Sequence, residues 1–101
     1  MSGQPAALQV GRLLSRVNPV YPEDAEAQRV EGTTKLHAVI GRDGTIQSVE
    51  PRGGPDLLMR AAVNAVRQWR YTPSYVGGQP VEAELDITIT FRRLTPVAHA
   101  N

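Results

Sequence analysis

The sequence predicts an α+β fold in which a three-stranded antiparallel sheet carries two helices packed on one of its faces. Residues 81–92 alternate strictly between apolar and polar side chains, which is typical of a long strand with one buried and one wet face. An Asp-Gly dipeptide at 43–44 separates two shorter strand-like runs and favours a tight hairpin. Apolar residues spaced by three and four within 58–69 predict an amphipathic helix that covers this sheet.

A stiff arm and a first helix are expected before the sheet. Two prolines restrict the residues that precede them, so 18–22 is predicted to be extended. Pro22 suits the first position of a helix, and the acidic residues that follow it favour the positive end of the helix dipole. This helix is expected to run to about Val30 and to stop at Gly32, a left-handed cap.

The remaining elements follow from turn residues and periodicity. Residues 33–40 predict the first strand, and the apolar positions of 46–49 are out of step by one, which indicates a bulge or a strand covered on both sides. Residues 51–56 are expected to form a loop, and 74–80 a turn-rich connection. The last strand is therefore predicted to begin at Val81.

The predicted core centres on Trp69, which is the only tryptophan of the chain and its largest apolar side chain. Pro73 ends the central helix at or before Thr72, because a proline disfavours helical geometry in the residue before it. The helix and the last strand supply the rest of the core. The predicted core residues are Leu58, Ala62, Val66, Trp69, Leu85, Ile87, Ile89 and Phe91.

Length and composition limit the domain organisation and the function classes. The chain has 101 residues, a net charge of +1, 5% aromatic residues and no cysteine. One domain spanning 16–93 is expected, after a flexible segment or cloning remnant at 1–15 and before a loose tail at 94–101. The balanced charge argues against a nucleic-acid partner, and the lack of cysteine excludes disulfides and thiolate metal sites. No metal site, cofactor or catalytic arrangement is expected, and His37 is interpreted as a solvent-facing strand residue.

Several motifs in a fixed order carry a family resemblance. They are Tyr21-Pro22 followed by Ala25, Glu31-Gly32, Asp43-Gly44, Ala61-Ala62, the run from Asn64 to Tyr71 with Pro73, Gly78 with Pro80, and the final strand to Phe91. In this order and spacing, over roughly residues 16–93, the chain resembles the C-terminal domain of TonB, a bacterial energy transducer. Met59 departs from the pattern, since many members carry an acid there, and this bears on helix capping rather than on function.

The resemblance implies a protein-binding function and no enzymatic activity. Members of the family are anchored in the inner membrane by an N-terminal helix, cross the periplasm through a Pro-rich linker, and work with ExbB and ExbD. Their C-terminal domain binds the TonB box, a short segment of outer-membrane transporters for iron chelates (siderophores), cobalamin and similar solutes. We therefore expect a periplasmic domain that is attached to the inner membrane in the full-length protein.

Partner binding is expected at the arm and along the final strand. An alternating strand at a sheet edge offers unpaired backbone groups, to which another chain, or a second copy in a homodimer, can add. Two questions stay open. The acidic residues of the final strand, Glu82, Glu84 and Asp86, either prevent pairing of the strand with a second copy or select the partner. The ring of Tyr21 either contacts the partner or packs under the first helix. The expected partner-binding residues are Asn18, Pro19, Val20, Tyr21, Pro22, Glu82, Glu84, Asp86, Thr88 and Thr90.

Two other interpretations change the partner. Similar domains occur on membrane-bound sensor or peptidase proteins, and the related TolA domain binds other periplasmic proteins. The N-terminal part of the full-length protein would separate these from a TonB-type transducer. A nucleic-acid module using Arg60, Arg67 and Arg70 is disfavoured by the near-zero net charge.

Overall fold

The computed structural model describes residues 8–93, which form two helices and eight strands. The helices are α1 (Glu23–Ala27) and α2 (Asp56–Arg67). The strands are β1 (Leu8–Gln9), β2 (Leu13–Ser15), β3 (Gly32–Ile40), β4 (Ile46–Gly53), β5 (Arg70–Tyr71), β6 (Ser74–Val76), β7 (Gln79–Val81) and β8 (Ala83–Phe91). The expected tail at 94–101 lies outside the described residues. Within 8–93 no helix is long and apolar enough to cross a membrane.

The main sheet has the strand order β4-β3-β8, with both pairings antiparallel. The β3–β4 hairpin turns through Gly44 at φ 87°, a backbone conformation that glycine adopts without a Cβ penalty. Helix α2 packs on β4 and β3, and α1 packs on α2. The structure thus confirms the α+β class, with two helices and an antiparallel sheet of three strands.

One apolar core lies between this sheet and α2. Leu58, Ala62 and Val66 are completely buried on α2, and a leucine or valine side chain contributes about 1.5–3 kcal/mol when fully buried. Strand β3 contributes Leu36, Ala38 and Ile40, and β8 contributes Ile87, Ile89 and Phe91. Leu85, nearer the start of β8, is only half-buried at the margin of this core.

Helix α1 is shorter than predicted, and its stop signal lies elsewhere. It ends at Ala27, and Arg29, rather than Gly32, adopts the left-handed conformation, with φ 59°. The amide of Val30 donates to the carbonyl of Ala25 at 2.8 Å, and the amide of Arg29 donates to that of Glu26 at 3.1 Å. These two bonds form a Schellman cap, which satisfies the last helical carbonyls. Gly32 is instead the first residue of β3.

Helix α2 also ends earlier than its apolar periodicity indicates. Gln68 is its C-cap, and Trp69 lies in the connection to β5, where it is 5% exposed. The amides of Gln68 and Trp69 bond to carbonyls three residues back, at 3.1 and 3.0 Å, which tightens the last turn. Trp69 thus stays on the buried side although it is no longer helical.

Strand β4 is longer than predicted and irregular. It continues through Pro51 to Gly53, so the expected loop at 51–56 is wrong in its first half. Proline is tolerated here because β4 is an edge strand of the sheet. The register between β3 and β4 shifts at two places, between Lys35 and Leu36 and between Val39 and Ile40. The second shift confirms the bulge that the out-of-step apolar residues indicated.

The long final strand is interrupted, and the region before it is not a simple connection. Glu82 separates β7 from β8, so the uninterrupted strand predicted from Val81 is wrong at its start. Strands β6 and β7 form a hairpin around Gly77 and Gly78, both with positive φ, and β1 pairs with β6. A two-stranded ribbon of β2 and β5 links this small sheet to the core. Strands β1, β2, β5, β6 and β7 are only two or three residues long. They are therefore too short to show an alternation of apolar and polar residues in the sequence.

Candidate partner-binding edge

The outer edge of β8 is a row of backbone groups with no neighbouring strand among residues 8–93. Strand β8 pairs with β3 through all nine of its residues and closes that side of the sheet. The Thr34 hydroxyl donates to the Ile89 carbonyl at 3.0 Å, so the polar groups of Ile89 face β3. Backbone groups alternate in direction along a strand, so the N–H and C=O of Thr88 and Thr90 face the open edge.

The opposite edge, on β4, is less suited to accept another strand. Pro51 removes one N–H donor, and the register shifts interrupt the row of evenly spaced groups. Glu50 and Arg52 add a charged pair at 3.0 Å on the same strand. Prolines, bulges and charges are the devices by which natural sheets block an edge. Strand β8 carries no proline and pairs with β3 in an unbroken register.

On the face of the sheet away from the helices, β8 is joined to β3 by an ionic bridge. His37 Nδ1 lies 2.8 Å from Asp86 Oδ1, and His37 Nε2 lies 2.6 Å from Glu84 Oε1. The hydrogen bonds that His37 donates to Asp86, and then to Glu84, raise its pKa above the ordinary 6.5. The side chain of His37 is only 21% exposed, so the expected solvent-facing histidine is half-buried between two carboxylates.

This bridge was missed because it depends on strand register. His37 and Asp86 are direct partners across β3 and β8, and they are 49 residues apart in the sequence. An alternating pattern identifies which face a residue occupies, but not which residue of another strand lies opposite. A signal was present in the acids at every second position of the last strand, since a cation on the neighbouring strand would balance them.

The arm contains residues of two kinds. Tyr21 packs inward: its ring meets that of Phe91 edge to face, with the centroids 5.6 Å apart, and its hydroxyl donates to the Val30 carbonyl. Burial, followed by the charge of Glu31, raises the pKa of this phenol. The ring of Tyr21 was expected either to contact the partner or to pack within the domain, and in the structure it packs within the domain.

Asn18, Pro19 and Val20, by contrast, line a groove of about 640 Å³ between the arm and α2. Val20 is 80% exposed there, the largest exposed fraction among the large hydrophobic side chains of 9–93. Pro22 borders the same groove. Among the residues described, no side chain of β8 lines it, so the groove and the open edge are separate surfaces, and the contact of Tyr21 with Phe91 connects the arm to β8.

The predicted site residues of the last strand therefore divide into two groups. Thr88 and Thr90 are exposed on β8, as are Glu84 and Asp86, which also contact His37. Glu82 lies in the break before β8 and outside its paired length. Within residues 8–93, no group of three or more His, Asp or Glu side chains is arranged so that it could hold a metal ion.

Comparison with known proteins shows which family this sequence matches. The model of the family described as "Gram-negative bacterial TonB protein C-terminal" matches residues 17–93. Protein TonB of Escherichia coli is 37% identical over 68 residues, which are 65% of this chain and 28% of that protein. Protein TonB of Vibrio cholerae is 28% identical over 95 residues, which are 91% of this chain and 39% of that protein. The chain thus spans well under half the length of these relatives.

A solved structure has the same architecture. The solution NMR structure of the Pseudomonas aeruginosa TonB CTD superimposes with a TM-score of 0.71 and 26% sequence identity. The match covers 86% of this chain and 90% of that one. The likeness therefore extends over nearly all of the described residues rather than over the central sheet alone.

Proposed function

Because this chain belongs to the TonB C-terminal family, we propose that it is the periplasmic receptor-binding end of a TonB-type energy transducer. The family comprises energy transducers and interaction proteins, not enzymes. In this proposal the full-length protein is anchored in the inner membrane and works with ExbB and ExbD. The domain passes proton-motive energy to outer-membrane transporters of iron chelates, cobalamin or similar solutes by binding their TonB box.

The observation that carries this proposal is the open edge of β8, over Ala83–Phe91. An extended segment can add there as a further strand, and main-chain hydrogen bonds would supply the affinity. Thr88 and Thr90 present their N–H and C=O groups to such a segment, because Ile89 faces β3. Binding of this kind tolerates different sequences, which suits one transducer that serves several transporters.

The arm is proposed as a second contact. Its two prolines hold the backbone extended before a partner arrives, so little conformational entropy remains to be lost on binding. Asn18 is exposed beside the groove and can both donate and accept hydrogen bonds. Tyr21, whose ring and hydroxyl are engaged within the domain, is proposed to position this arm rather than to bind the partner.

Replacing Thr88 tests strand addition directly. Thr88→Pro removes the N–H donor that faces the open edge, at a position where an edge strand tolerates proline. We expect the affinity for a TonB-box peptide to fall by about tenfold, near the upper end of the value of one backbone hydrogen bond. Thr88→Val is the matched control, because it removes the hydroxyl and keeps the N–H; it should bind like the parent.

Amide exchange in the free domain and with the peptide locates the binding surface. Outward-facing amides of β8 should exchange freely at first and become protected with the peptide. Protection confined to the groove between the arm and α2 would contradict strand addition on β8. The same edge could pair two copies of the chain, and sedimentation at rising concentration would reveal that competing homodimer.

A further inference from the structure

The bridge from His37 to Glu84 and Asp86 lies directly beside the open edge of β8. Both carboxylates stand on β8 itself, with side chains 69% and 88% exposed, and only one oxygen of each contacts the imidazole. A strand added to β8 would place its own side chains next to them on the same face of the sheet, within about 4.5–5.5 Å between Cβ atoms of direct neighbours. These carboxylates would therefore meet every partner that binds by strand addition.

The geometry of the bridge requires a protonated histidine. Both ring nitrogens lie within hydrogen-bond distance of a carboxylate oxygen, at 2.8 and 2.6 Å. Ionised carboxylates only accept, and a neutral imidazole has one N–H, whereas the imidazolium has two. Loss of the proton therefore leaves one carboxylate without its donor and changes the group of three from one net negative charge to two.

The other charged groups that face His37 do not replace this charge. Glu50 is the partner of His37 on β4, and it forms its ion pair with Arg52 at 3.0 Å. Lys35, two residues from His37 on β3, and Arg52 line a hollow of about 470 Å³ beside Asp86 and Thr88. Among the charged side chains around this bridge, histidine is the type whose ordinary pKa lies nearest to neutral pH.

We propose that His37 is a specificity residue of the β8 edge, which sets how strongly that edge discriminates between basic and acidic partner strands. When His37 is protonated, it neutralises one of the two carboxylates, and the edge tolerates acidic side chains on the partner. When His37 is neutral, both carboxylates act on the partner, and basic side chains are favoured more strongly. This proposal rests on the proposed strand addition and adds to it a dependence on the charge of the partner and on pH.

Two designed peptides of about eight residues, one typical strand length, serve as probes. Both alternate valine with a guest residue, lysine in one and glutamate in the other. In the register that turns the valines toward the helix-covered face, every guest side chain lies on the face of the carboxylates. The affinity ratio of the lysine to the glutamate peptide is measured at about pH 5.5 and about pH 8.5, where neither guest changes its charge appreciably. We expect this ratio to rise about tenfold with pH, because one additional charge at about 5 Å in water changes each affinity about fourfold and in opposite directions, before screening by salt reduces it.

Two variants test which side chains cause the change of the affinity ratio with pH. In His37→Gln the side chain is neutral at every pH, so the ratio should be high and the same at both pH values. In the double variant Glu84→Gln with Asp86→Asn, two negative charges beside the partner are gone while His37 still titrates, so the ratio should lie below that of the parent at both pH values. The double variant changes only exposed side chains, so it keeps the test decisive if His37→Gln does not fold.

The outcomes separate this inference from the proposed function. A parent ratio that does not change with pH, a change that persists in His37→Gln, or a double variant whose ratio is not lowered overturns the role of His37 while strand addition stands. If a TonB-box peptide and both designed peptides leave the β8 amides unprotected, strand addition itself fails. The proposal is supported by a ratio that rises with pH in the parent but not in His37→Gln, that is lower in the double variant, and whose rise becomes smaller at high salt.

Discussion

The indole N–H of Trp69 donates a hydrogen bond to the backbone carbonyl of Val17 at 2.9 Å, across 52 residues of sequence. This contact joins the connection that follows α2 to the residue just before the arm, and so fixes the arm relative to the core. The guanidinium of Arg16 lies over the same indole, 5.3 Å from the ring centroid, and adds a cation–π contact on its outer side. Trp69 is therefore both a core residue and the point at which the arm is attached.

Truncation of this side chain should unfold or nearly unfold the domain. Trp69→Ala removes a ring that is 5% exposed, at a cost of about 3–5 kcal/mol from a total stability of about 5–15 kcal/mol. Trp69→Phe is the milder comparison, since it keeps an aromatic ring and loses the bond to Val17, and it should cost less. Urea unfolding followed by circular dichroism measures both. A Trp69→Ala variant that stays fully folded but binds peptide weakly would show that Trp69 is a surface contact.

Asn18 should contribute to affinity and not to stability. Asn18→Ala is expected to weaken binding of a TonB-box peptide by about 1 kcal/mol, the typical value of one hydrogen bond, with an unchanged thermal midpoint. Tyr21→Phe is the matched comparison on the same arm, because it removes only the hydroxyl that donates to Val30 and should lower the midpoint. Titration calorimetry and melting curves distinguish the two. Unchanged affinity in Asn18→Ala would exclude Asn18 from the site, and a lowered midpoint would make it structural.

Arg29 is a position where glycine should stabilise the fold. Its φ of 59° lies in the left-handed region, which costs a residue with a Cβ about 1–2 kcal/mol, partly offset by the greater chain entropy of glycine when unfolded. Arg29→Gly is thus expected to raise the free energy of unfolding by about 0.5–1 kcal/mol. Arg29→Ala removes the same charge and keeps the Cβ, so it controls for electrostatic effects. Equal stability of the two variants would contradict the backbone explanation.

The stability of the domain should depend on the protonation of His37. Because its pKa is raised in the folded state, the stabilising contribution is fully present below the unfolded value of 6.5 and is lost as the pH rises through the folded value. Histidine ring signals followed by NMR should titrate above 6.5. The urea midpoint of the parent should fall over this pH range, and that of His37→Gln should not. A ring that titrates at or below 6.5 would argue against the bridge to Glu84 and Asp86.

Much of the fold and the region of the candidate site could be predicted from the sequence, because they rest on local patterns. The alternation along β8, the three-and-four spacing on α2 and the Asp-Gly turn each arise within a few residues of one another, where backbone geometry relates position to direction. The ordered motifs between Tyr21 and Phe91 likewise indicated the family, which the comparisons establish.

What only the tertiary structure decided is which distant residues lie side by side. The register of β8 on β3 places His37 between two carboxylates, and the order of the strands leaves β8 open while Pro51 and two register shifts obstruct β4. The short strands β1 and β2 pair with β6 and β5, which are far away in sequence. Periodicity identifies the face on which a side chain lies, but its neighbours are chosen by packing and hydrogen bonding between elements, which no local pattern contains.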